Sequence, residues 1–296
     1  MSEYVQVTPS VRLWVQRIGE PTHTPLVLVM GADADARRWP TTLVQALSAR
    51  HLVVRFDHRD TGRSSAGGCY DAVRLAQDVV AILDGLGIDR AHVLGMSLGG
   101  LLVQLLLLDW PERLISSTVL CSGPLPCSAV HRDEALRRVD PRLRAVWRRL
   151  DTAADDNARA PLLLEQLRIL NGRTLPFDER LYRGMAARQI SAATDGPRAD
   201  RPHIRAACTV PTRGAELIRV RTPTLVLEAT DDPVNPPAEA RALCQAIPPA
   251  RLEQVPGMGH LLHPAVLGQL AGLVLQHTAR AEAMSAFEEQ ANKESR

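Results

Sequence analysis

Three residues far apart in the chain, Ser97, Asp232 and His260, each sit in a short motif able to present a reacting side chain. Ser97 is the centre of Gly95-Met96-Ser97-Leu98-Gly99, a G-x-S-x-G pattern. A tight strand-to-helix turn brings the positions two before and two after the serine together, so only small residues fit there. Such a turn pushes the hydroxyl out at the sheet's carboxyl edge and aims a helix N-terminus at whatever the serine attacks. A free hydroxyl is barely nucleophilic at neutral pH and needs a base. Of nine histidines, His260 has the most telling context, Pro256-Gly257-Met258-Gly259-His260, a glycine-rich loop after the last expected strand. His263 is a close decoy, and His58, His92 and His203 are weaker candidates, His203 as a residue lining a lid. The acid that orients the imidazole is expected at Asp232, where D-P-x-x-P begins just past an apolar run, with Asp231 as its rival. An oxyanion site would use the backbone N–H of Leu98 and that of Ala32, with Gly31 letting the chain turn back toward Ser97.

The surrounding elements must deliver these residues to one edge. Leu26–Met30, Leu52–Phe56, Ala91–Met96, Ser117–Leu120, Thr224–Glu228 and Leu252–Val255 are short apolar runs suited to a sheet covered on both faces. Val11–Ile18 alternates and suits an antiparallel edge. Helical periodicity fills the gaps, as in Asp71–Leu86, and the alternation implies a mainly parallel α/β sheet. The alternation lapses between Pro126 and Thr212, an arginine-rich helical stretch broken by Pro141, Pro161, Pro176, Pro197, Pro202 and Pro211. The expected organisation is a core of residues 1–125 and 212–280, a helical lid over 126–211 inserted before the last two strands, and a polar tail over 281–296. The chain order Ser97, Asp232, His260 is that of α/β-hydrolases.

Composition bounds the alternatives. A net charge of +2 gives no case for a nucleic-acid partner, and Lys293 is the one lysine. The five cysteines are scattered, odd in number and without a CxxC pair, which reads as reduced thiols of a cytoplasmic protein. No signal peptide is evident, and the greasiest run, Leu101–Leu108, falls far short of the ~20 residues that span a bilayer. With no HExxH, Walker loop or GxGxxG after the first strand, neither a metal nor a cofactor is expected. The lid arginines Arg137, Arg138, Arg142, Arg144, Arg148 and Arg149 read as a solvated helical face, or else as holding an acidic substrate. The oligomeric state, monomer or homodimer, stays open.

Several motifs together resemble the α/β-hydrolase methylesterases of aromatic polyketide (anthracycline) biosynthesis. They are Val29-Met30-Gly31 before Trp39-Pro40, the run Asp57-His58-Arg59-Asp60-Thr61-Gly62-Arg63-Ser64, and Leu83 to Val93. The serine, aspartate and histidine motifs follow, as do Arg168-Ile169-Leu170 and Leu175-Pro176-Phe177-Asp178 in the lid. The broader superfamily more often carries glycine at the Asp60 position. The resemblance implies an eight-stranded α/β-hydrolase sheet and a Ser97 nucleophile acting on a methyl ester of a flat polycyclic small molecule through an acyl-enzyme. Met30, Gly31, Trp147, Phe177, Tyr182 and His203 would line its pocket. The same constellation also serves C–C bond or thioester hydrolysis and polyketide release or cyclisation, and such a fold can persist as a ligand-binding module.

Overall fold

The computed structural model describes residues 1–192 and 202–294, so the break expected at Pro197 and the last two residues of the tail lie outside the described residues. The strands are β1 (Ser2–Thr8), β2 (Val11–Ile18), β3 (Pro25–Val29), β4 (Leu52–Phe56), β5 (Ala91–Met96), β6 (Leu114–Leu120), β7 (Thr224–Ala229) and β8 (Ala250–Val255). They form one sheet in the order β1-β2-β4-β3-β5-β6-β7-β8. β2 pairs antiparallel with β1 and β4, and β3 to β8 pair in parallel. This is the mainly parallel eight-stranded sheet expected. One detail differs: Val11–Ile18 is not the edge, because β1 pairs outside it. The polar alternation of Ser2–Thr8 suits a strand with a solvated face and gives no continuous apolar run to notice.

The helices are α1 (Thr41–Ser48), α2 (Ala72–Gly85), α3 (Leu98–Asp109), α4 (Ala129–Arg138), α5 (Pro141–Asp151), α6 (Asp156–Leu170), α7 (Glu179–Ala192), α8 (Pro202–Cys208), α9 (Pro237–Ala246) and α10 (Leu267–Glu294). Strand alternation sends Val27 and Val29 to a cluster with Leu75, Val79, Leu102 and Leu243, from α2, α3 and α9. Leu26 and Leu28 face the opposite way, against Leu43 and Leu47 of α1 and Leu270 and Val274 of α10. Both faces of the parallel strands are therefore covered, which is why those strands read as unbroken apolar runs.

Helices α4 to α8 occupy the interval between β6 and β7. Leu143, Val146, Leu163, Leu167 and Tyr182 of α5 to α7 form a cluster of their own. α8 does not join it: α8 packs on α2 and α3, and its Ala206 belongs to the main core. Pro161, expected as a break, lies inside α6. Burial of Leu162, Leu163 and Leu167 outweighs the ~3 kcal/mol that an interior proline costs an unsupported helix. The polar tail is helical as far as it is described. α10 continues through Glu294, Ala281 is buried, and Glu282 accepts a hydrogen bond from His92 Nε2 at 3.2 Å. No described helix is long and apolar enough to cross a membrane.

Two buried histidines brace α10 on the sheet. His277 donates to Ser117 O at 3.0 Å, and His92 lies between Ser116 and Glu282. Burial pushes both rings down from 6.5 to about 4. The folded rings refuse a proton that the unfolded rings accept near pH 6.5, so stability is full above that pH and lost as pH falls toward about 4. Urea unfolding across pH 7 to 4 is expected to show that decline, and a shallower one in His277→Gln.

Candidate active site

The turn from β5 into α3 places Ser97 at φ 56 and ψ −119, in the left-handed region that a side chain rarely occupies. The crowding that demands small neighbours is explicit. A Cβ on Gly95 would strike Gly99 O, one on Gly99 would strike Val29 O, and one on Gly100 would lie 2.6 Å from Ser122 Cβ. The half-buried Ser97 therefore projects from the carboxyl end of β5, and Leu98 opens α3 with an N–H that has no acceptor within the helix.

The loop after β7 brings Asp232, and the loop after β8 brings His260, to the same edge. His260 Nδ1 donates to Asp232 Oδ2 at 2.8 Å, which leaves Nε2 as the acceptor facing Ser97 Oγ at 3.0 Å. The Asp232 carboxylate is fully buried and accepts two further bonds, from Val234 N at 2.8 Å and Asn235 N at 2.9 Å. Three donors on one buried acid fix its direction. Asp231 points elsewhere. Its carboxylate takes the N–H groups of Arg173 and Thr174, tying the loop after α6 to the loop after β7. His260 N–H also reaches that region, donating to Leu170 O at 2.7 Å.

The loop after β3 closes the third side. A Cβ on Gly31 would lie 3.1 Å from Ser97 Cβ and 3.6 Å from its Oγ, so Gly31 runs beside the hydroxyl. Met30 precedes Gly31 at the end of β3. Its side chain is buried in the core with Leu28 and Trp39, and its carbonyl accepts from His58.

The other residues expected to line the pocket have packing and hydrogen-bond partners of their own. Tyr182 is buried and donates to Asn171 Oδ1 at 2.7 Å, while Phe177 stacks on it with ring centres 4.5 Å apart. Trp147 donates to Gln166 at 3.0 Å and packs in the same cluster. These rings pack with the leucines of the cluster that joins α5, α6 and α7. His203 is fully buried, with both ring nitrogens on backbone partners. His263 caps the turn at Pro264–Val266 and meets Pro176 O at 3.0 Å.

Two residues beside the site carry no sequence signal of their role. Asn235 donates Nδ2–H to Cys121 O at 2.8 Å, locking the loop after β7 onto the end of β6. Cys121, at φ 53, places its Sγ near Gly259 O and within 4.8 Å of the reacting atoms of Asp232 and His260. Burial, followed by the Asp232 charge, pushes that thiol well up, so it stays protonated. The second His-rich group among the described residues, His51, His92 and Glu282, lies in the α10 contact already described.

Residues 24–264 match the protein family described as alpha/beta hydrolase fold. The chain is 39% identical to rhodomycin D methylesterase DnrP of Streptomyces peucetius, over 92% of this chain and 96% of the relative. The same figures hold for rhodomycin D methylesterase DauP of Streptomyces sp. strain C5. Its structure is similar to that of a hydrolase from Pseudomonas aeruginosa PA01, with a TM-score of 0.72 and 26% identity over 93% of this chain and 97% of that one.

The turn generates its own test. A Cβ at position 99 meets backbone oxygen atoms of Val29 and Met30, which cannot rotate away. Gly99→Ala is expected to destabilise the fold by about 1–3 kcal/mol or more in urea unfolding; an unchanged midpoint would contradict the packing described.

Proposed function

The chain belongs to the alpha/beta hydrolase fold family, and on that premise we propose that it is a serine esterase cleaving the methyl ester of a polycyclic, anthracycline-type small molecule. The observation that carries the chemistry is the unbroken hydrogen-bond chain from Asp232 through His260 to Ser97. Two rhodomycin D methylesterases at 39% identity support the substrate class.

In this reading Ser97 Oγ attacks the ester carbonyl carbon as its proton passes to His260 Nε2. The carbonyl oxygen takes the electron pair and is met by N–H groups of Leu98 and Ala32, fixed before the charge develops. The tetrahedral species collapses, His260 returns its proton to the departing methoxide, and methanol leaves an acyl-enzyme on Ser97. Water then adds with His260 as base, and the acid product departs. Asp232 keeps the imidazole in the Nδ1–H tautomer and stabilises its charged form without taking the proton. Residues of this chain suffice for every step. Its five free cysteines fit a reducing, cytoplasmic setting.

Ser97→Ala is expected to lower p-nitrophenyl ester kcat by ~10⁴-fold or more and to abolish labelling by a fluorophosphonate probe. Labelling that persists in that variant refutes the assignment of the nucleophile. Asp232→Asn should cost ~10⁴-fold in kcat by favouring the wrong tautomer, whereas Asp231→Asn should leave kcat within about threefold of wild type, since its carboxylate binds Arg173 and Thr174 of the loop after α6 and not His260.

A further inference from the structure

The loop carrying Gly31 and Ala32 is gripped at both ends by buried histidines. At one end His58 donates Nε2–H to Met30 O at 3.0 Å. At the other, Asp33 N–H donates to His203 Nδ1 at 2.9 Å. Because Nδ1 accepts, the His203 proton resides on Nε2, and that N–H donates to Arg59 O at 2.9 Å. Both rings are fully buried and meet edge to face, 5.6 Å between centres.

The other end of this grip is itself immobile. Arg59 is buried and forks onto Asp78 of α2, with Nε donating to Oδ2 at 2.7 Å. Asp57 accepts Ala36 N–H at 2.7 Å and Arg63 N–H at 2.9 Å, tying the far side of the same loop to the same turn. The run Asp57-His58-Arg59 thus anchors the loop after β3, directly at residues 30 and 36 and through His203 at residue 33. The held residue is also strained. Asp33 sits at φ 54, a conformation costing a non-glycine residue about 1–3 kcal/mol and kept only where its surroundings impose it.

We propose that His203 is a positioning residue for the oxyanion site. By capturing Asp33 N–H it sets the direction of the neighbouring Ala32 N–H, and it does so from α8, which packs on α2 and α3. This rests on the ester-hydrolase reading above. His203 touches no reacting atom. Its effect belongs to the transition state, where charge gathers on the carbonyl oxygen, and so falls on kcat and not on KM.

The amide of an asparagine falls near the Nδ1 position of a histidine, and that of a glutamine near Nε2. His203→Asn therefore keeps an acceptor for Asp33 N–H, whereas His203→Gln keeps only the donor to Arg59 O. With the full chain and a p-nitrophenyl ester, His203→Gln is expected to lose ~10–100-fold in kcat at nearly unchanged KM, the scale of a misplaced catalytic group. His203→Asn should stay within about threefold of wild type. Equal losses in the two variants, a wild-type kcat in His203→Gln, or a change confined to KM overturns the proposal. Fluorophosphonate labelling of the wild type keeps the two ideas apart. An unlabelled Ser97 removes the esterase reading and this inference with it, whereas a labelled Ser97 with unimpaired His203→Gln removes the inference alone. Should both variants fail to fold, nitrogen-15 NMR of the wild-type histidines decides. A neutral His203 ring with its proton on Nε2 at pH 8 supports the grip, and a ring that carries its proton on Nδ1 overturns it.

Discussion

The candidate site depends on one backbone conformation. Ser97 stands at positive φ because β5 stops and α3 starts within a single residue, and nothing larger than hydrogen fits at Gly95 or Gly99. The same constraint aims the first turn of α3 at the space in front of the hydroxyl and draws the loop after β3 in beside it. A hydroxyl on a relaxed turn would have rotamers to lose; this one is presented by the fold before any ligand arrives.

Parallel topology supplies the remainder. Strands β3, β5, β6, β7 and β8 all end at one edge, so loops separated by more than two hundred residues deliver Gly31, Ser97, Cys121, Asp232 and His260 to a single place. The acid is the buried pivot of this assembly. Backbone N–H groups of Val234 and Asn235 leave Asp232 one direction in which to meet His260. Asn235 then couples that loop to the strained Cys121, and His260 N–H couples the next one to α6. Burial keeps the nearby Cys121 as a thiol, so it does not compete with the serine as an anion.

Much of this was legible in the chain because it is written locally. Continuous apolar runs mark strands covered on both faces, and steric need at a tight turn writes G-x-S-x-G. A proline-bounded turn separates Asp232 from Asp231 only by the motif it begins; the hydrogen bonds that distinguish them are tertiary. Asp60 occupies φ 64, a conformation that aspartate is one of the few non-glycine residues to tolerate. What was not legible has no local period. The packing of α8 on α2 and α3, the grip of His203 on Asp33, and the hydrogen bonds of Tyr182 and Trp147 within the helical cluster all depend on contacts between distant segments. β1 escaped for the opposite reason, being polar on the face that meets water.

In the proposed reaction Ser97 carries the acyl group during turnover. The most direct measurement is rapid acid quench of the enzyme with an activated ester, followed by peptide mapping by mass spectrometry. One acyl group is expected on the peptide containing Gly95 to Gly99, located on Ser97. An acyl group on Cys121 or His260, or steady turnover with Ser97 never modified, would contradict it.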